Sequence, residues 1–146
     1  MIAFMTTSPV SALYIHRVCY ADTDAAGFIY HARYLDIFER SRAEWLAQRN
    51  LSPTKLIDEF GMLLPVRELT MHFYKPGLLD DILYIDQVIE HRGRTQVKVK
   101  QNAMRKVQAG DSEDMEVIAS AIIQLVCVDT STFKPKAFPD YLFLAE

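Results

Sequence analysis

The stretch that decides the fold is the turn over residues 20–31, which reads Tyr20-Ala21-Asp22-Thr23-Asp24-Ala25-Ala26-Gly27-Phe28-Ile29-Tyr30-His31. It separates a β-branched, aromatic segment at residues 12–20 from an apolar segment that runs to about residue 50. The first pattern predicts a strand and the second a long helix. A carboxylate between them lies beside unpaired backbone N–H groups and the positive end of the helix dipole, which together can polarise a carbonyl oxygen.

The predicted helix covers residues 31–49 and is apolar over more than a narrow stripe. Aliphatic and aromatic side chains recur at helical spacing, at Leu35, Ile37, Phe38, Trp45 and Leu46. Such a helix is mostly buried. Its polar positions alternate in sign and can pair three and four residues apart, as Glu39 and Arg42 would in an ordinary surface pair.

Beyond Gly61 the apolar pattern changes from helical to alternating, after a short helical patch at residues 54–60. Four long strands are then predicted, at residues 62–74, 81–91, 94–107 and 116–128. The acidic segment at residues 108–114 reads as the only loose stretch. Short connections predict an antiparallel meander that twists and curls at this length. A strand, a long helix and a run of strands form an α+β order, with the helix packed on one face of the sheet.

The composition predicts a single cytoplasmic domain over residues 1–146, with residues 1–10 as a loose N-terminal extension. Sixteen basic and nineteen acidic residues give a net charge of −3, so no global basic field favours nucleic acid. No segment is typical of a signal peptide or a membrane-spanning helix. The cysteines, Cys19 and Cys127, lie in apolar runs outside any metal or redox motif, which predicts buried free thiols in a reducing compartment.

Several motifs together resemble a known family. The turn motif is Tyr20-x-Asp22-Thr23-Asp24-x-x-Gly27, followed by Tyr30-His31-Ala32 and Phe38-Glu39-Arg40-x-Arg42. Further matches span nearly the whole chain, at Tyr74-x-Pro76, Leu79-Asp80-Asp81, Arg92-Gly93, Cys127-Val128-Asp129 and Lys134-Pro135. The chain resembles the hotdog-fold acyl-CoA thioesterases of the 4-hydroxybenzoyl-CoA thioesterase family, and especially their Tol–Pal-associated branch.

The resemblance implies a hotdog fold, in which a curved antiparallel sheet of about five strands wraps a long central helix. It implies hydrolysis of an acyl-CoA thioester to a carboxylic acid and coenzyme A, with no cofactor besides the coenzyme A of the substrate. It also implies a homodimer with its active site at the shared interface, commonly doubled into a tetramer. The strand containing Leu64 and Val66 of a neighbouring chain would line the acyl pocket. Glu39 and Arg42 would then serve helix or subunit contacts.

The family's catalytic aspartate falls on Asp24, which acts either as nucleophile on the thioester or as base for water. The backbone N–H of His31 matches the donor to the thioester carbonyl. The side chains of His31 and Tyr20 are implied to assist, His31 by positioning water or moving a proton. For both side chains an ordinary packing role stays open.

Substrate contacts are predicted at Gly27, Phe28, Tyr30, Arg92 and Arg94. The glycine allows a sharp bend, and the two arginines offer cations to the phosphates of coenzyme A, although cations on alternating strands are also typical of a solvated face. No metal site is predicted. Asp22 would share a side with Asp24 in an extended segment, but we expect it to hydrogen-bond the backbone of the turn.

Two other functions stay open at this point. One is a non-catalytic module that binds acyl thioesters or an acyl carrier protein, or a scaffold for phospholipid enzymes. The other is hydration or dehydration of an acyl thioester, which would need a histidine and an acid facing each other. The chain carries four histidines, and only His31 lies outside the predicted strands. The sequence leaves the preferred acyl group undetermined.

Overall fold

The computed structural model describes residues 14–143, so the predicted extension at residues 1–10 lies outside the described residues. In chain order the elements are β1 (Tyr14–Arg17), a 3₁₀ turn (Tyr20–Asp22), α1 (Arg33–Ala47), α2 (Pro53–Phe60), β2 (Met62–Leu63), β3 (Val66–Phe73), β4 (Ile82–Arg92), β5 (Gln96–Ala109), β6 (Ser112–Val126), β7 (Val128–Asp129) and a second 3₁₀ turn (Asp140–Phe143). The predicted α+β class, with one long helix against an antiparallel sheet, is confirmed.

Five strands form the main sheet in the order β1-β4-β5-β6-β3, and β2 pairs separately with β7. The predicted meander is correct for β4, β5 and β6. It is wrong for β3, which pairs with β6 at the far edge of the sheet and not with β4. The chain therefore crosses the sheet between Phe73 and Ile82 before it enters β4.

Two predicted strand boundaries are also wrong. Residues 62–74 form two strands with a break at Leu64 and Pro65, because a proline has no N–H for the ladder. The supposedly loose segment 108–114 is a tight hairpin in which Ala109 pairs directly with Ser112. Its turn residue Gly110 has a φ of 65°, a left-handed conformation that two-residue hairpin turns require.

The core lies between α1 and one face of the sheet. Phe38 and Ile37 of the helix are at most 1% exposed, as are Leu83 and Ile85 of β4. The helix leaves β3 largely uncovered: Leu69 and Phe73 are 40% and 53% exposed. Both side chains point to the helix-facing side, because their partners in β6 are the buried Ile123 and Ala119. The sheet thus ends in an uncovered apolar edge.

Candidate active site around residues 20 to 33

Residues 22–30 form a small hairpin between β1 and α1. The Tyr30 N–H donates to the Asp22 carbonyl oxygen at 2.8 Å, and the Asp24 N–H donates to the Phe28 carbonyl oxygen at 2.9 Å. Gly27 has a φ of 83°, which few residues other than glycine adopt readily, and its N–H closes the tip on the Asp24 carbonyl oxygen at 3.0 Å. The hairpin therefore carries Asp24 at its tip and ends just before His31.

The Asp24 carboxylate is exposed. Its Oδ1 accepts a hydrogen bond from the Ala26 N–H at 2.9 Å, while Oδ2 accepts none from residues 14–143. The aspartate does not cap α1, whose N-cap residue is Ala32. One carboxylate oxygen is thus held by the turn and the other is open to a substrate or a water.

Asp22 lies two residues earlier and is only 1% exposed. Its Oδ2 accepts from the Cys19 N–H at 2.9 Å and from His16 Nε2 at 2.8 Å, and its Oδ1 accepts from Arg33 Nε at 3.0 Å. Burial alone would raise the pKa of this carboxyl, but these three hydrogen bonds, together with one from the Cys19 thiol at 3.4 Å, outweigh it and lower the pKa to about 2. The expected hydrogen bond to the backbone of the turn is confirmed.

The network around Asp22 extends to both sides. His16 must carry its proton on Nε2, since an ionised carboxylate only accepts, and its Nδ1 lies 3.1 Å from the Tyr14 hydroxyl. On the other side, Arg33 Nη1 donates to Asp36 at 3.0 Å. His16 and Arg33 were not predicted as partners of Asp22, because they lie 6 and 11 residues away and match no local motif.

Tyr20 is 82% exposed and belongs to the 3₁₀ turn, so the prediction that a strand reaches residue 20 is wrong. Strand β1 already ends at Arg17. Tyr30 is 47% exposed, and its ring lies 4.5 Å from the ring of His31 between centroids. The His31 N–H has no acceptor within residues 14–143. An open donor and an open carboxylate oxygen therefore belong to the same loop.

The segment at residues 74–81 contacts the hairpin and supports it. Phe28 forms a β-bridge with Leu78, and the Ile29 N–H donates to the Gly77 carbonyl oxygen at 2.9 Å. Phe28 keeps 44% of its surface exposed beside Asp24. The hairpin is thus anchored to residues 74–81, the connection that crosses the sheet.

Arg105 holds this connection in place. Its Nη1 donates to the Pro76 carbonyl oxygen at 3.0 Å and to Asp81 at 2.9 Å, and its Nε donates to Glu116 at 3.0 Å. Lys75 forms an ion pair with the same glutamate. This network was not predicted, because its members lie on separate strands and loops.

Arg92 and Arg94 are not brought to Asp24 within one chain. Strand β4 begins at Ile82, which pairs with Arg17 near the hairpin, and ends at Arg92 about 30 Å away along the strand. The Arg92 guanidinium stacks on the Phe143 ring at 4.3 Å. Arg94 lines a groove of about 360 Å³. The groove also contains His91 and Lys98, and none of its lining residues carries a carboxylate.

The end of the molecule where β4 turns into β5 also holds an apolar cavity of about 240 Å³, between α1 and the sheet. Its lining includes Leu46, Leu63, Leu64, Val97, Leu125 and Phe143. Glu39, Arg42 and Gln87 add polar groups, and the Oε1 of Gln87 is buried without a partner among the described residues. Arg42 is no ordinary surface residue, since it donates to Gln101 on β5 at 3.1 Å and burial lowers its pKa. Phe28 and Tyr30, which were predicted to contact the substrate, do not line this cavity.

The two thiols differ. Cys127 is buried, which raises its pKa, whereas Cys19 is exposed and the prediction of burial is wrong for it. Its place in the turn before Asp22, beyond the end of β1, explains the exposure.

Within residues 14–143, no cluster of three His, Cys, Asp or Glu side chains could hold a metal ion. In the same range, every helix is too short or too polar to cross a membrane.

The chain is similar to known thioesterases over most of its length. The sequence model that defines the thioesterase-like superfamily matches residues 18–143 of this chain. The acyl-CoA thioesterase YbgC of Haemophilus influenzae is 36% identical over 124 residues, 84% of this chain and 85% of that protein. The acyl-CoA thioester hydrolase YbgC of Escherichia coli is 37% identical over 123 residues, 84% of this chain and 86% of that protein. A probable thioesterase structure from Bartonella henselae aligns with a TM-score of 0.74 at 28% identity, covering 86% of this chain and 97% of that one.

Proposed function

This chain belongs to the thioesterase-like superfamily and, within it, to the acyl-CoA thioesterases, and from that premise we propose that it hydrolyses an acyl-CoA thioester at Asp24. The products are a carboxylic acid and free coenzyme A. One observation carries the assignment: the exposed Asp24 carboxylate and the unpartnered His31 N–H belong to a single loop. A thioesterase needs these two functions, a group that attacks or activates water and a donor for the carbonyl oxygen.

The aspartate can act in two ways. As nucleophile, the carboxylate attacks the carbonyl carbon, the C–S bond breaks, the coenzyme A thiolate leaves, and water hydrolyses the resulting anhydride. As base, the carboxylate takes a proton from a water that attacks the same carbon, and the tetrahedral intermediate then expels the coenzyme A thiolate as the C–S bond breaks. In both routes the carbonyl oxygen gains negative charge, which the His31 N–H stabilises. The exposed side chains of His31 and Tyr20 are proposed to position the water or the leaving thiolate.

We further propose that two copies pair through β3. This strand is a sheet edge, and its apolar residues Val66, Leu69 and Phe73 are 40% to 53% exposed. Uncovered edges of this kind invite pairing with another strand. Antiparallel pairing of two β3 strands about a two-fold axis brings the Val66 end of one strand next to the Phe73 end of the other. A dimer of dimers and a cytoplasmic location stay predictions from the resemblance.

This pairing completes the site from two chains. The Phe73 ring lies 5.7 Å from the ring of Tyr34. Tyr34 is the second residue of α1, the helix that follows the Asp24 hairpin. Val66 at the other end of β3 pairs with Leu125, a residue of the apolar cavity, and Leu125 pairs with Val97 beside the basic groove. The groove and the cavity of one chain would therefore lie next to the partner's Asp24.

The groove and the cavity suit the two halves of an acyl-CoA. Arg94 and Lys98 offer cations to phosphates. Arg92 is the weaker candidate, because its guanidinium is stacked on Phe143. The cavity of about 240 Å³ exceeds the roughly 150 Å³ of an apolar cavity known to hold a benzene ring. We therefore propose that it takes the acyl group and admits a ring or a medium-length chain.

The test is thiol release from short-chain, long-chain and aromatic acyl-CoA thioesters. Asp24→Asn should lower kcat/KM by at least about 100-fold while the assembly stays folded, a loss of about 3 kcal/mol of transition-state stabilisation. Asp80→Asn is the matched control, since Asp80 is also an exposed aspartate and asparagine tolerates its φ of 70°. Asp80→Asn should retain the wild-type rate.

Full activity in folded Asp24→Asn would contradict the assignment of the catalytic group. A wild-type protein that releases no thiol but binds a thioether analogue of acyl-CoA would instead identify a binding module. A wild-type protein active only on acyl groups carried by an acyl carrier protein would change the carrier and leave the reaction intact.

A further inference from the structure

We propose that Asp22 is a positioning residue for this reaction: its buried carboxylate and its carbonyl oxygen together hold the Asp24 hairpin against β1 and the start of α1. The inference rests on the proposed function, because it takes Asp24 as the group that acts on the thioester. It assigns no contact with the substrate to Asp22.

The hydrogen bonds of Asp22 converge from separate parts of the chain. Its carboxylate accepts from His16 on β1, from the Cys19 N–H in the turn and from Arg33 in the first turn of α1, at 2.8, 2.9 and 3.0 Å. Its carbonyl oxygen accepts from the Tyr30 N–H at 2.8 Å. One residue therefore joins a strand, a turn, a helix and the far arm of the hairpin.

The groups that Asp22 fixes are those that the reaction needs. Asp24 follows two residues after Asp22, and His31 follows directly after Tyr30. Holding the Tyr30 N–H on the Asp22 carbonyl oxygen sets the two arms of the hairpin, and with them the distance between the Asp24 carboxylate and the His31 N–H. A misplacement of about 1 Å between reacting groups can cost about 100-fold in rate.

A direct chemical role does not fit Asp22. The side chain is 1% exposed, and both carboxylate oxygens already accept hydrogen bonds. Asparagine has nearly the same shape but replaces one accepting oxygen by an NH₂ group. In Asp22→Asn, at least one of the three donors from His16, Cys19 and Arg33 would face another donor, which loosens the network without removing bulk.

The first test separates the rate from binding. In Asp22→Asn we expect kcat to fall about 100-fold, while the dissociation constant of a non-hydrolysable thioether analogue of acyl-CoA changes less than about threefold. Asp129→Asn is the matched control. Asp129 is the last residue of β7, accepts from the N–H groups of Ser131 and Thr132 in the following turn at 2.9 and 3.0 Å, and has a pKa lowered by those bonds. At an equal folded fraction, Asp129→Asn should keep the wild-type kcat.

A second readout does not depend on activity. Amide hydrogen exchange at Tyr30 should become faster in Asp22→Asn, while exchange in β5 and β6 stays unchanged. If the wild-type protein hydrolyses no thioester, the proposed function fails, and the exchange at Tyr30 still decides whether Asp22 clamps the hairpin. An active wild type with equal kcat in Asp22→Asn would overturn this proposal and leave the proposed function intact. An equal loss in Asp129→Asn would overturn it as well.

Substitutions of His16 cover the case in which Asp22→Asn does not fold. His16→Phe keeps a ring and removes the donor to Asp22, so kcat should fall with little change in analogue binding. His16→Gln can place an amide N–H where Nε2 lies, 2.8 Å from Asp22, and should restore most of the rate. Wild-type kcat in His16→Phe, or no recovery in His16→Gln, would contradict the positioning role.

Discussion

Asp22 and Asp24 are the same residue type two positions apart, yet the structure gives them opposite surroundings. Asp22 is 1% exposed and both of its carboxylate oxygens are engaged. Asp24 is exposed and holds one hydrogen bond from the backbone. In an extended segment the two side chains would share a side, but residues 20–22 form a 3₁₀ turn, so the two do not make a paired carboxylate site. One charge therefore serves the fold and the other is available for chemistry.

Asp22 gives the protein a specific sensitivity to acid. Its pKa is about 2 in the folded state, whereas an unfolded aspartate has a pKa of about 3.9. The unfolded chain therefore binds more protons between these values, and the free energy of unfolding rises with pH through this window. Asp22 should contribute about 2 kcal/mol above about pH 5, and this contribution should be lost progressively as the pH falls to about 2.

Urea unfolding at a fixed protein concentration measures this effect. Between pH 5 and pH 3 the free energy of unfolding of the wild type should fall more steeply than that of Asp22→Asn, by about 1 kcal/mol. Parallel curves for the two proteins would show that Asp22 has the same pKa in both states. The comparison uses slopes, because the substitution also leaves buried donors without an acceptor and lowers stability at every pH.

The sequence locates the acidic turn and predicts a backbone hydrogen bond for Asp22, but it does not identify the side chains that complete the contacts of Asp22. The motif alone points to Asp24 and to the His31 N–H. The partners of Asp22 come from β1 and α1, and no local spacing rule joins residues on different elements. A buried aspartate does require cationic or N–H partners. That requirement predicts a cluster without identifying its members.

Gly77 tests the connection between two elements, the hairpin and the segment that crosses the sheet. A Cβ at this position would lie 2.9 Å from Ile29 Cγ1, closer still to Cδ1, and 3.0 Å from the Tyr34 hydroxyl. Ile29 and Tyr34 are both buried and have little room to move. Gly77→Ala should therefore lower the free energy of unfolding by about 1–3 kcal/mol through overpacking. It should also lower kcat, because Ile29 belongs to the Asp24 hairpin.

The matched control is Gly110→Ala at the tip of the β5–β6 hairpin. An alanine there meets no atom within 4 Å but must adopt a φ of 65°, which costs about 1 kcal/mol. Chemical denaturation and steady-state kinetics on both variants separate the two effects. Both should be less stable, and only Gly77→Ala should be slower. An equal kcat in the two variants would show that the crossing segment does not set the position of the hairpin.

Among the elements, strands β4, β5 and β6 were predicted with ends within four residues, because their alternating pattern follows the period of a strand. The position of β3 was not predictable in this way, since the partner of a strand depends on contacts far along the chain. Pro65 did indicate the break before β3, because a proline within an alternating run favours an interruption or an edge strand. In the structure β3 begins directly after Pro65 and forms an edge of the main sheet.

At the scale of the whole molecule, the topology separates two functional ends. The Asp24 hairpin lies where β1 pairs with the start of β4, and the basic groove lies where β4 turns into β5. The length of β4 keeps the two apart within one chain, at about 30 Å. The uncovered edge of β3 runs between the two ends, so an antiparallel pair of chains would join the groove of each to the hairpin of the other.

Heterodimers test this arrangement directly. Asp24→Asn removes the catalytic carboxylate, and Arg94→Glu reverses a charge in the groove and should raise KM for acyl-CoA at least about tenfold. In a purified heterodimer of the two variants, sites built across the interface would divide unequally: one carries both substitutions and the other carries neither. Such a heterodimer should therefore recover about half of the wild-type kcat/KM.

If each site lay within one chain, every site would carry one substitution and the activity would stay at the level of the two homodimers. A heterodimer of wild type with Asp24→Asn, which should reach about half activity in either case, controls for independent action of the two sites. Failure to recover activity while this control behaves as expected would contradict the two-chain site.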